Sequence, residues 1–174
     1  MMCVGTLRFM AYGWGDPFFV VPDSFFHYWG FEWVQPLPAT WMHGIFIAMA
    51  VLAFLVAIGL FYRGAIIGFF VLFTYVELVD VANYLNHYYL VSLLALLLCF
   101  LPANAAWSVD AYLRPKIRRA KTVAYHLWLL RFQVGAVYVF AGVAKLGSDW
   151  LVHGQPLNIW LSSRVDTPII GTLI

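Results

Sequence analysis

The chain has little charge. Only 10% of its 174 residues are Asp, Glu, Lys or Arg, 64% are hydrophobic, and the mean hydropathy is +0.84. Soluble globular domains carry about 25% charged residues, so this composition excludes that class and indicates an integral membrane protein. Cysteine is nearly absent. Cys3 lies near the start of one apolar segment and Cys99 inside another, which argues against a disulfide framework or a thiolate metal site. No HxxxH, HExxH or carboxylate cluster has metal-ligand spacing, so no metal is predicted. No basic tract with interleaved aromatics is present, so nucleic acid is not an expected partner. A signal peptide is also missing. Arg8 lies inside the opening apolar segment rather than before it, and no A-x-A site follows.

What is abundant is aromatic. Phe, Trp and Tyr make up 19% of the chain, with eight Trp and ten Tyr. Many fall near the ends of apolar runs, as interfacial belts require. The pattern predicts an all-α, polytopic transmembrane helix bundle with four complete spans and a partial helix at each end. The first partial helix covers residues 4–12. An outer loop rich in aromatics and prolines follows over 13–40. Complete spans are expected over 41–62, 65–83, 88–101 and 123–146. Arg63-Gly64 form the first tight turn, and a basic loop occupies 102–122. Thr167-Pro168 open a new apolar run that stops at Ile174. A span needs about 20 residues, so the chain reads as a fragment of a longer protein, with no soluble domain among these residues.

The loops alternate in charge. Arg63 and the 102–122 loop together carry six Lys/Arg. The opposite loops carry only Arg164, set against Asp16, Asp23, Glu32, Asp149 and Asp166. By the positive-inside rule the basic loops face the cytoplasm. Asn86-His87 and the end of the 123–146 span then share the outer, periplasmic or lumenal face.

Two groups of residues have chemical potential. Arg131, Tyr138 and Lys145 are spaced by seven and share one helix face. A lysine at the edge of hydrocarbon is either a snorkelling anchor or a base whose pKa burial has lowered, and spacing alone leaves both open. Glu77, Asp80, Tyr84 and His87 are spaced three, four and three, one face if the helix continues that far. Glu77 is read as a structural partner for Arg131 or a backbone group. His87 with Asn86 could orient an acid or a phenol, although a single histidine in a membrane turn is more often plain structure. Ser108 and Asp110 have no local histidine, so Ser108-Val109-Asp110 is expected to cap a short helix. His43 and His126 are expected near span ends, and His27 and His153 in outer loops.

At these residues a resemblance becomes specific. QPLPATWM, LFYR, LVDVANYLNHYYL, ANAAWSVDAYL and VYVFAGVAKLGSDW resemble, in order, segments of the membrane domain of vitamin K-dependent gamma-glutamyl carboxylases, the HTTM domain. The likeness runs over about residues 35–164, and AGVAKL is also similar to DoxX-like membrane proteins. The resemblance implies a carboxylase using reduced vitamin K, O2 and CO2 and no metal. In that family a deprotonated lysine takes a proton from the hydroquinone. Oxygen addition creates a strong base that removes a gamma proton of peptidyl glutamate. The carbanion adds CO2, and vitamin K leaves as its epoxide. The lysine falls on Lys145 and the supporting histidine on His87. Asn86, Tyr84 and Tyr138 are the expected quinone-binding residues. Membrane lipid, a quinone and a glutamate-containing peptide or protein are the implied partners. Ala144 stands where animal enzymes have a second lysine, and Tyr84-Leu85 stand where they carry Trp and Asn. The alternative is a non-carboxylating HTTM or DoxX-like protein that binds a quinone or lipid.

Overall fold

A computed structural model describes residues 2–155, 157 and 159, apart from 23 and 120. Among these residues eight α-helices follow in order: α1 (Met2–Ala11), α2 (Gly15–Phe19), α3 (Ala39–Ile58), α4 (Tyr62–Val79), α5 (Asn86–Phe100), α6 (Val109–Leu113), α7 (Ala124–Ala144) and α8 (Ser148–Leu151). The described residues contain no strand. They fall into two compact units that divide between Leu127 and Trp128.

Among the described residues, three helices, α3, α4 and α7, are long and apolar enough to cross a bilayer. The span expected over 88–101 is α5, a helix of 15 residues. At 1.5 Å per residue it reaches about 22 Å, short of a hydrocarbon core of about 30 Å. The expected helix opening at Thr167-Pro168 lies outside the described residues.

In the first unit α3 packs on α4, α4 on α5, and α1 and α2 on α3. Met42, Phe46, Met49 and Ala53 recur at helical spacing along the buried face of α3, facing Tyr62, Ile66, Phe69, Val76 and Val79 of α4. Ile47, Val51, Phe54, Ile67 and Val71 point outward and are exposed, the inverted pattern a lipid-facing surface requires. Lipid tails are as apolar as these side chains, so close packing rather than water exclusion holds such helices together. Gly68 allows that approach: a Cβ there would lie 3.1 Å from Leu52 Cδ1.

The α3–α4 turn lies earlier than expected. Gly59 adopts the left-handed conformation at φ 67°, and α3 ends there instead of running to Tyr62. The N–H groups of Gly59 and Leu60 close back on Val56 and Leu55 at 3.2 and 3.0 Å, the paired bonds of a Schellman cap. The first N–H groups of α4 are met from far along the chain. Asp110 Oδ1 accepts from Phe61 and Oδ2 from Tyr62, while Gly59 C=O accepts from Asp110 N–H. Ser108 caps α6 as expected, its Oγ accepting the Ala111 N–H at 3.0 Å. Arg63 donates to the Cys99 carbonyl. Arg63 and the loop after α5 thus share one end of this unit.

At the other end α4 stops at Val79 rather than continuing to Asn83. Asp80 is extended, at φ −148° and ψ 117°. Its Oδ1 accepts the N–H groups of Phe26 and Ala82, and its Oδ2 accepts the Asn83 amide. These bonds reward leaving the helix and form a 3₁₀ turn over Val81–Asn83. Val81 N–H donates to Phe26 C=O, and Tyr75 Oη to Gln35 C=O, so the loop between α2 and α3 is fastened to the end of α4.

Candidate functional site

A cavity of about 450 Å³ opens where α1, α2, α3, α4 and the start of α5 meet. Its apolar part is aromatic. Phe9 is the hub, with its ring centroid 5.1 Å from Phe46, 5.8 Å from Trp14, 6.2 Å from Phe18 and 6.4 Å from Phe19. Phe69 and Phe73 of α4 stack at 5.5 Å, and Phe73 meets Tyr88 edge-on at 6.2 Å. These rings continue the lining from α4 to α5. Such pairs prefer offset or edge-to-face geometry and present ring faces and edges to the cavity.

The polar part gathers Glu77, Asp80, Asn83 and His87, with Arg8 of α1 also in the lining. Asp80 and Asn83 are committed to each other and to the 3₁₀ turn. Glu77 lies in the last turn of α4, and His87 in the first turn of α5. The His87 ring meets Tyr88 at 4.4 Å in a T-shaped contact. The cavity therefore suits a flat apolar molecule with a polar end that exchanges hydrogen bonds or a proton.

The expected stripe of Glu77, Asp80, Tyr84 and His87 is not one helix face, because the chain leaves the helix at Asp80. Three of the four still line the cavity, since the break turns α5 back toward α4. Tyr84 and Asn86 are exposed and stand outside the lining, and the Tyr84 ring packs 6.3 Å from Tyr89. Sequence reasoning missed Arg8, Phe9 and Trp14. Arg8 inside an apolar run was the available signal.

The second unit holds the other candidates. Lys145 is the first residue beyond α7, and its Nζ lies 5.0 Å from the centre of the Trp150 ring. The turn through Gly147 brings Trp150 back, with the N–H groups of Trp150 and Leu151 bonding to the Gly147 carbonyl at 3.1 Å. A tryptophan face attracts an ammonium. Trp150, five residues on, was legible as an aromatic near a cation but was not singled out. Arg131 lies 5.7 Å over Trp128 in the same manner. Tyr138 is exposed on α7.

No solved structure matches the chain. The family model of the HTTM domain matches residues 1–174, the whole sequence. With its apolar spanning helices, that match identifies an integral membrane protein, and the chain belongs to the HTTM domain family.

Proposed function

We propose that this protein is a vitamin K-dependent carboxylase-type enzyme that oxygenates reduced vitamin K and couples this to CO2 addition at a peptidyl glutamate. The observation that carries the reading is the aromatic cavity of about 450 Å³ with His87 and Glu77 in its lining. Its size falls within the range of about 300–1,000 Å³ typical of small-molecule sites. The aromatic walls formed by Phe9, Phe46, Phe69 and Phe73 suit a fused aromatic ring and an isoprenoid tail. His87 suits a hydroxyl at the polar end. When bound, the hydroquinone supplies, together with O2, the strong base that glutamate deprotonation needs.

The protein's own residues bind, orient and move one proton. Lys145 is the proposed base: its uncharged amine accepts a hydroquinone proton at Nζ. His87 is the proposed hydrogen-bond partner that fixes the ring. By the family resemblance, Tyr84, Asn86 and Tyr138 are proposed as further quinone-contacting residues. By the positive-inside rule the end bearing Arg63 faces the cytoplasm, and the His87 cavity opens to the periplasm or lumen. A bacterial inner membrane and the endoplasmic reticulum both fit this assignment.

The test is epoxide formation from reduced vitamin K in membranes containing the protein, with Lys145→Ala alongside. Epoxide made by the wild type and lost in the variant supports the reading. A folded, well-expressed protein that makes no epoxide, yet still binds the quinone, overturns it in favour of a non-carboxylating quinone-binding protein.

A further inference from the structure

A second cavity, of about 750 Å³, lies at the opposite end of the first unit, where the α3–α4 turn meets the loops around α6. Its lining carries four cations, Arg63, Arg114, Lys116 and Arg119, against a single carboxylate, Asp110. That carboxylate also caps α4. Its two oxygens accept the N–H groups of Phe61 and Tyr62 and the amide of Asn104, and its one negative charge offsets only one of the four cations. Arg114, Lys116 and Arg119 are exposed. The cavity therefore presents unbalanced positive charge in a concave site, where field lines concentrate.

Its position identifies the kind of anion. The cavity sits at the polar end of membrane helices, beside the N-terminus of α4 and the C-terminus of α5. Phe61 and Phe100 belong to the same lining and are 64% and 71% exposed. Exposed cations and two exposed phenylalanines in one lining match a phosphate headgroup joined to acyl chains. A free phosphate would use only the cations. We propose that this cavity binds the phosphate of an anionic lipid headgroup, with Arg114 and Arg119 as its principal ligands. Guanidinium groups present paired donors to phosphate oxygens.

The purified protein in nonionic detergent is titrated with short-chain phosphatidic acid, phosphatidylcholine and inorganic phosphate, and bound lipid is counted by native mass spectrometry. Each basic residue near an anionic surface is worth roughly fivefold in affinity, so Arg114→Gln/Arg119→Gln is expected to weaken phosphatidic acid binding about thirtyfold. Arg118→Gln/Lys121→Gln removes the same charge outside the cavity and is expected to change it by less than about threefold. If the first pair lowers the melting temperature, Lys116→Gln/Arg119→Gln replaces it. Equal losses in the two pairs would assign binding to diffuse surface charge and overturn the proposal. So would equal affinity for phosphatidylcholine. Displacement of the lipid by inorganic phosphate at equal concentration would reassign the cavity to free phosphate.

Discussion

Asp110 accepts the backbone N–H of Tyr62 at 3.0 Å across 48 residues of sequence. This one carboxylate caps α4, since Phe61 at the N-cap position provides no side-chain cap. It places negative charge at the positive end of a membrane helix. Asp110→Ala strands the N–H groups of Phe61 and Tyr62 and is expected to cost about 2–4 kcal/mol, read as a lowered melting temperature in detergent. Asp110→Asn keeps one acceptor oxygen but sets an NH2 against the other donors, so it should cost less than Asp110→Ala only by about the one bond retained.

The same contact predicts a pH dependence. Burial pushes the Asp110 carboxyl upward. The Tyr62 N–H, the Asn104 amide, the Phe61 N–H and the Arg114 charge outweigh it and hold the carboxyl below its ordinary value of 3.8. A depressed folded value means that the stabilisation is fully present above 3.8 and is lost as pH falls below it. Melting temperatures of the wild type and Asp110→Asn should run parallel between about pH 5 and 7 and converge below about pH 4. A constant gap down to pH 3 would show that the charge of Asp110 contributes nothing.

Gly59 is irreplaceable for two separate reasons. Its φ of 67° suits glycine, and a Cβ there would lie 2.4 Å from Ser108 Cβ. The left-handed conformation alone costs a non-glycine residue about 1–2 kcal/mol, and the clash adds to it. Gly59→Ala should destabilise by at least about 2 kcal/mol. Gly64→Ala, where no described atom lies within 4 Å, should be neutral or stabilise by up to about 1 kcal/mol. A thermal scan of both variants checks the contrast.

The parts of the fold legible in the sequence are those fixed by local pattern. The apolar run of α7 places that helix at Ala124–Ala144, within two residues of the reading over 123–146. Ser108 announces its cap through neighbours in sequence. The missed features depend on distant partners. Nothing near Asp80 shows that Phe26, 54 residues earlier, will donate to it and end α4. Nothing near Phe9 shows that its ring will meet Phe46. The carboxylate–histidine stripe had the right membership for the cavity, Tyr84 excepted, but the wrong geometry. Helical periodicity cannot register a break stabilised by tertiary hydrogen bonds.

His87 separates binding from chemistry in the proposed reaction. Misplacing a reacting ring by about 1 Å costs on the order of 10² in rate. His87→Ala should lower epoxide formation about 100-fold while naphthoquinone binding, held mainly by the aromatic walls, changes by less than about tenfold. Parallel loss of both would make His87 a structural residue of the cavity.

The Lys145–Trp150 contact bears directly on the proposed base. The indole face attracts the ammonium, which is the form that cannot accept a proton. At an exposed site this attraction is worth about 0.5–1 kcal/mol, so Trp150→Leu should raise epoxide formation about two- to fivefold if Lys145 is the base. Lys145→Arg gives the sharper division. Arginine keeps its charge, its reach and its affinity for an indole face, but does not deprotonate in a protein. A snorkelling anchor should tolerate the exchange, with normal expression, melting temperature and epoxide yield. A base should not: the variant should fold normally and lose at least about 100-fold in epoxide formation. The two substitutions act on one charge in opposite senses, so a gain in Trp150→Leu together with a loss in Lys145→Arg can come only from a lysine that works uncharged.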